Sequence, residues 1–150
     1  MSDPSAPDSY PVTVEWTIRT SQSTDLAAVI ALWGSADVEP SHTDDVGSLQ
    51  KLIDHDPLAL IVALDDGTIV GSIIAAWDGW RGSIYRLVVA PTHRGLGMGT
   101  ELLRHAEARL SASGAVRLQA AVVDTSTKAM GFWRATGWEE QVHRARFVSG

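Results

Sequence analysis

A chain of 150 residues with 45% apolar side chains is long enough to bury one sizeable core and too short for several, so a single domain is expected. Its formal charge of -6 argues against binding a phosphate backbone, which relies on clustered Lys and Arg. The absence of cysteine excludes a disulfide framework, a cysteine-held metal and acyl transfer through an enzyme thiol.

Met1 to Pro11 is rich in Ser, Asp, Pro and Ala and reads as a disordered tail, leaving 12–150 as the domain. No run of about 18 apolar residues occurs and no basic-then-apolar leader opens the chain, so a cytoplasmic protein without a membrane partner is expected. Val12, Val14, Trp16 and Ile18 alternate with polar residues, the period of a half-buried strand. Ser23 or Thr24 is placed to cap a helix with Leu26, Val29, Ile30 and Trp33 on one face.

Gly34 to Asp44 lacks an apolar period and reads as a connector or a substrate rim, carrying Glu39 and His42. Val46, Leu49, Leu52 and Ile53 predict a second helix that Pro57 ends. The apolar run Leu58 to Leu64, the turn Asp65-Asp66-Gly67-Thr68 and the run Ile69 to Trp77 predict an antiparallel hairpin. Asp78-Gly79-Trp80-Arg81-Gly82 is the next turn, in which Asp78 and Arg81 either fix the turn or face a substrate.

The stretch from Tyr85 to Leu103 joins a β-branched strand, a glycine loop and a helix opening. Pro91 ends the strand, and apolar residues recur at helical spacing at Leu102, Leu103, Ala106 and Leu110. Gly95, Gly97 and Gly99 free the backbone amides of side-chain cover at a helix start, where about four N–H groups lack partners. Such a loop suits an anion, and Arg94 adds charge at its edge. The spacing fits neither Gly-x-Gly-x-x-Gly, since Thr100 or Leu102 takes the third place, nor a triphosphate loop, since no lysine follows Gly99.

Downstream, Gly114 stops the helix, Val116 to Val123 predicts another strand, and Asp124-Thr125-Ser126 predicts the cap of a helix over Thr127 to Ala135. Trp138 to Val148 reads as a final extended segment, compatible with a homodimer.

Arg94-Gly95-x-Gly97-x-Gly99 between Leu87-Val88-Val89 and Leu102-Leu103 resembles the acyl-coenzyme A signature of the GNAT superfamily of N-acetyltransferases. Ser126, Ala129, Phe132, Trp133, Gly137 and Trp138 resemble its second landmark, with Ser in place of Asn and Trp133 in place of the usual Tyr. The resemblance implies an α/β (α+β) fold: a mixed, mostly antiparallel sheet of about six to seven strands with about four helices. It implies acetyl-CoA as co-substrate, held at the pyrophosphate by Arg94, Gly95, Leu96, Gly97, Met98, Gly99 and Thr100. Leu87, Val88 and Val89 would pair with the pantetheine arm, and Ser126, Ala129, Phe132 and Trp133 would flank it.

The activity so implied is direct acetyl transfer to a primary amine of a small molecule, with neither a metal nor a nucleic acid involved. Asp78, Glu39 and Trp133 are the candidate catalytic side chains, because the strand before the signature offers Ser83, Tyr85 and Arg86 but no carboxylate. An indole cannot serve as an acid near neutral pH, so Trp133 would only hydrogen-bond the leaving thiolate. Two alternatives stay open: a coenzyme A binding or sensing domain without turnover, and an enzyme acting on protein N-termini or lysines.

Overall fold

The alternation expected from Val12 becomes a strand over Thr17–Thr20 (β1) in a computed structural model that describes residues 15–36, 38–122 and 126–150. Val12, Val14 and the tail Met1 to Pro11 lie outside the described residues. Helix α1 spans Leu26–Ser35, and Asp25, not Ser23 or Thr24, stands at its N-cap position, with no side-chain bond to the helix. Those two belong to a 3-10 turn, Ser23–Asp25, and the Asp25 carboxylate accepts the Gln22 N–H at 2.8 Å and two bonds from Arg19. Helix α2, Val46–His55, is capped by Asp45, which accepts the Ser48 N–H at 2.7 Å.

Strands β2 (Leu60–Asp65) and β3 (Thr68–Trp77) form the predicted hairpin. Its two turn residues, Asp66 and Gly67, take φ of 50° and 79°, the left-handed pair that matches the twist of a two-residue hairpin. Strand β4 (Gly82–Val89) leads through a 3-10 turn, Pro91–His93, to helix α3 (Met98–Ser113), strand β5 (Leu118–Ala120) and helix α4 (Thr127–Ala135).

The sheet order is β1-β2-β3-β4-β5, antiparallel throughout except for the parallel pair β4 and β5. Because β2 and β3 are covered on both faces, their apolar runs are continuous. Leu60, Val62 and Ile74 pack under α1 and α2 with Leu26, Val29 and Trp33, whereas Ile61, Ala63 and Ile73 pack under α3 with Leu102, Leu103 and Leu110.

Five strands form among the described residues, against the six to seven implied by the family resemblance. Trp138 to Val148 forms no strand: Val142, Phe147 and Val148 stay exposed, with no neighbouring strand to pair with among the described residues. The strand expected over Val116 to Val123 shrinks to three residues; Val116 is exposed, and Val123, like Asp124 and Thr125 of the expected cap, lies outside the described residues.

Gly82 makes that short pairing close. A Cβ there would sit 2.6 Å from Leu118 Cδ2 and 2.8 Å from Leu110 Cδ1, and Leu110 is fully buried. Gly82→Val is therefore expected to destabilise by about 1–3 kcal/mol through overpacking. Thermal melting should show a drop of about 2–4 °C for each kcal/mol in a chain of this size.

Candidate active site

Strands β4 and β5 pair only from Gly82↔Leu118 to Ile84↔Ala120, after which they part. Among the described residues, Tyr85 to Val89 therefore has β3 on one side and an open edge on the other. The Ala90 N–H bonds Val70 C=O at 2.8 Å, so by strand alternation Val88 also faces β3 while Val89 and Leu87 turn their N–H groups to the open edge. Val88 spends its side chain in the core under α1. The slot between the strands is thus lined by peptide donors that can pair with an extended, amide-bearing chain.

At the end of that slot lies the glycine loop. Gly95 and Gly97 adopt φ of 78° and 89°, and nothing stands within 4 Å of a Cβ built at either, so both backbone permission and open space are present. Gly99 serves differently: a Cβ there would lie 3.4 Å from Phe132 and 3.8 Å from Val89, so its smallness lets α3, β4 and α4 approach. The first bond of the α3 ladder runs from the Glu101 N–H to Gly97 C=O at 3.1 Å, leaving the amides of Met98, Gly99 and Thr100 ahead of it. Met98 anchors the loop with a side chain only 1% exposed, while Leu96 and Thr100 face outward. Three unpaired amides at a helix start, next to the open space at Gly95 and Gly97, suit an anion.

Arg94 does not extend freely at the loop edge. Its Nε donates to Val89 C=O at 3.2 Å and its Nη2 to Ala36 C=O at 3.3 Å, joining the loop to the end of α1. His93 ties the other side, its Nε2 lying 2.7 Å from Asp65 Oδ2.

Helix α4 packs on the start of α3, with Phe132 against Gly99. Ser126 caps α4 by accepting the Ala129 N–H at 3.3 Å. Phe132 and Trp133 meet edge to face at 5.6 Å, Trp133 and Trp138 at 4.8 Å, and Trp138 Nε1 donates to Glu107 on α3 at 3.0 Å. Trp133 is therefore half-buried in an aromatic stack against the α3 core.

Midway along the open edge the β3–β4 register slips between Ser72 and Ile74, so that Arg86 and Leu87 together oppose Ile73. Arg86 takes φ of 51°, a conformation that costs a non-glycine residue on the order of 1–2 kcal/mol. Ser72, fully buried, holds it there: its hydroxyl donates to Arg86 C=O at 3.0 Å and accepts the Trp33 Nε1–H at 2.8 Å. The Arg86 side chain makes a two-bond pair with Asp44, whose role the sequence did not signal because the bulge that aims Arg86 is a tertiary feature.

The catalytic candidates are not brought together. Glu39 is exposed on the α1–α2 loop. Asp78 sits in the β3–β4 turn, ahead of Gly82 at the start of β4, and from Gly82 to Arg86 is already four residues, roughly 13 Å of extended strand. Asp78 Oδ1 accepts the Arg81 N–H at 2.6 Å and the Trp80 N–H at 2.8 Å, and these bonds, the first above all, hold the carboxyl below its ordinary range. A carboxylate so depressed is a weaker proton acceptor, and its geometry is that of a turn residue. Asp78→Asn keeps an oxygen for both N–H groups and is expected to change turnover by less than about twofold, whereas loss of a general base costs about 10²–10⁴-fold. Thiol release from acetyl-CoA reads the difference.

Among the described residues no group of three or more His, Asp or Glu is arranged to hold a metal, and no helix is long and apolar enough to cross a membrane.

Residues 25–138 match the model of the acetyltransferase (GNAT) family. An acetyltransferase of Yersinia pestis is 35% identical over 124 residues, 83% of this chain and 88% of that one, and one of Yersinia enterocolitica is 34% identical over the same length. Among solved structures, an aminoglycoside N-acetyltransferase in complex with CoA superimposes with a TM-score of 0.74 at 21% identity, covering 94% of this chain and 98% of that one. Ard1 from Thermoplasma volcanium gives 0.73 at 19% identity, covering 81% of each chain.

Proposed function

Because the chain belongs to the GNAT family of acetyltransferases and is an N-acetyltransferase, we propose that it moves the acetyl group of acetyl-CoA directly to a primary amine of a small molecule. The observation that carries this reading is the parting of β4 from β5 beyond Ile84, directly upstream of the cradle at Gly95 to Thr100. Peptide donors along the slot suit the amide-bearing arm, and the cradle suits the pyrophosphate.

In this reading the Val89 and Leu87 N–H groups lie where a thioester carbonyl would develop negative charge, and one such donor is worth about 3 kcal/mol. The amine nitrogen attacks the carbonyl carbon, the carbon–nitrogen bond forms and the carbon–sulfur bond breaks. With Asp78 committed to its turn, Glu39 is the carboxylate assigned to receive the amine proton through water. Trp133 packs beside the slot and steadies the thiolate, which takes its proton from water.

A small acceptor is supported by the α1–α2 loop, which is tied down at both ends: Ala36 C=O by Arg94 of the coenzyme loop, and Asp44 by Arg86 of the bulge. A rim so fixed suits a compact amine better than a peptide groove. Thiol release from acetyl-CoA with spermidine, glucosamine, free amino acids and an alanyl pentapeptide tests the reading. Release with one of the small amines is expected; release with the pentapeptide alone would assign a protein acceptor, and coenzyme A binding without release would assign a sensor.

A further inference from the structure

Arg86 joins the bulge to the acceptor rim through a contact that the transfer chemistry itself does not use. Its Nε donates to Asp44 Oδ1 at 3.1 Å and its Nη2 to Asp44 Oδ2 at 2.7 Å, and both side chains are mostly buried. The guanidinium also lies 5.4 Å from the centre of the Trp33 ring. Asp44 in turn accepts the Ser41 N–H at 2.9 Å, while its own N–H reaches Ser41 C=O at 3.1 Å, closing the loop on itself. A continuous chain of bonds therefore runs from Trp33 on α1 through Ser72 on β3 and the Arg86 carbonyl on β4, then out along the Arg86 side chain to Asp44 and Ser41.

Each link fixes one geometric quantity. Ser72 sets the strained backbone of the bulge, and that backbone sets where the Leu87 N–H points along the open edge. The two parallel bonds of the guanidinium fork set the orientation of the loop as well as its distance, which a single ammonium would not. A loop that only needed anchoring to the core has apolar means available, as Val38 shows by packing against the core under α1. A charged fork on a strained bulge instead binds the acceptor rim to the strand that presents the donors.

We propose that Arg86 and Asp44 are positioning residues for the acceptor: they hold the α1–α2 loop in register with the bulge, so that the amine meets the thioester at the open edge of β4. The inference rests on the acetyltransferase reading given above. Among the described residues the fork bonds only Asp44, and Asp44 only Arg86 and Ser41, so none of the slot's backbone donors or cradle amides is engaged and loss of the pair should be felt by the amine and not by the coenzyme.

Asp44→Asn, Arg86→Lys and the double variant test this, with the panel amine that the wild type acetylates fastest as acceptor. KM for the amine should rise at least about tenfold in each single variant. The double variant should be no worse than the poorer single one, because the two side chains act as one unit. Coenzyme A affinity by calorimetry should stay within about twofold of wild type, and amide exchange of Val38 to Asp45 should quicken in all three. An unchanged amine KM, or a coenzyme A affinity that falls in step with the amine KM, would overturn the proposal and leave the pair a scaffold contact. Should the wild type bind coenzyme A but acetylate no panel amine, the functional reading fails by itself; unchanged exchange at Val38 to Asp45 in the variants would then overturn the pair's role, and quickened exchange would retain its hold on the loop.

Discussion

Gly97→Trp is expected to abolish coenzyme A binding, with a loss of at least about 100-fold in affinity measured by calorimetry. The position has open space where a side chain would emerge, so the indole fills the cradle rather than the core. At φ of 89° any side chain there also strains the backbone by on the order of 1–2 kcal/mol, a cost that a domain stable by about 5–15 kcal/mol survives. Gly79 has the same φ of 89° and the same open surroundings, but lies in the β3–β4 turn at the other end of β4. Gly79→Trp should therefore melt like Gly97→Trp and bind coenzyme A like the wild type. Equal loss of binding in both would mean that backbone strain, not occupation of the cradle, was responsible.

Trp33→Ala should produce the largest loss of stability. Trp33 is 3% exposed, lies in the core between α1 and the sheet, and donates its only polar hydrogen to the fully buried Ser72. Truncating a buried tryptophan costs about 3–5 kcal/mol, a fall in Tm of roughly 6–20 °C for this length. Trp33→Phe separates the two parts of that cost: it keeps most of the apolar volume and removes the donor, which should cost about 1–3 kcal/mol. Thermal melts of both variants check the prediction, and a Phe variant as stable as wild type would show that the bond to Ser72 carries no weight.

What could be read from the sequence was whatever neighbouring residues decide among themselves. The hairpin turn at Asp66 and Gly67, the glycine loop opening α3 and the Ser126 cap of α4 are each set within a few residues, and all formed where expected. The bulge at Arg86 was not legible, because it arises from Ser72 fourteen positions earlier in a buried strand. Gly82 reads as one more turn glycine until Leu110 and Leu118 are found against it. Ser23 and Thr24 fell in a 3-10 turn ahead of α1, where the Asp25 carboxylate binds Arg19 of β1 and the Gln22 N–H. Asp78 beside glycine read either as a turn former or as a group facing substrate, and two short backbone bonds give it the turn task. For the end of the chain, Trp138 to Val148 read as an extended segment, and it stays outside the sheet because no strand lies beside it to pair with among the described residues.

The central claim is that acetyl-CoA lies along the open edge of β4 with its pyrophosphate over the start of α3. Amide hydrogen exchange, resolved residue by residue with and without acetyl-CoA, tests it most directly. Slowed exchange at Leu87 and Val89 and from Gly95 to Thr100, with the Asp66–Gly67 turn unchanged, is the predicted result. Binding that leaves those amides untouched, or that instead protects the groove lined by Trp16, Leu64 and Glu101, would contradict it.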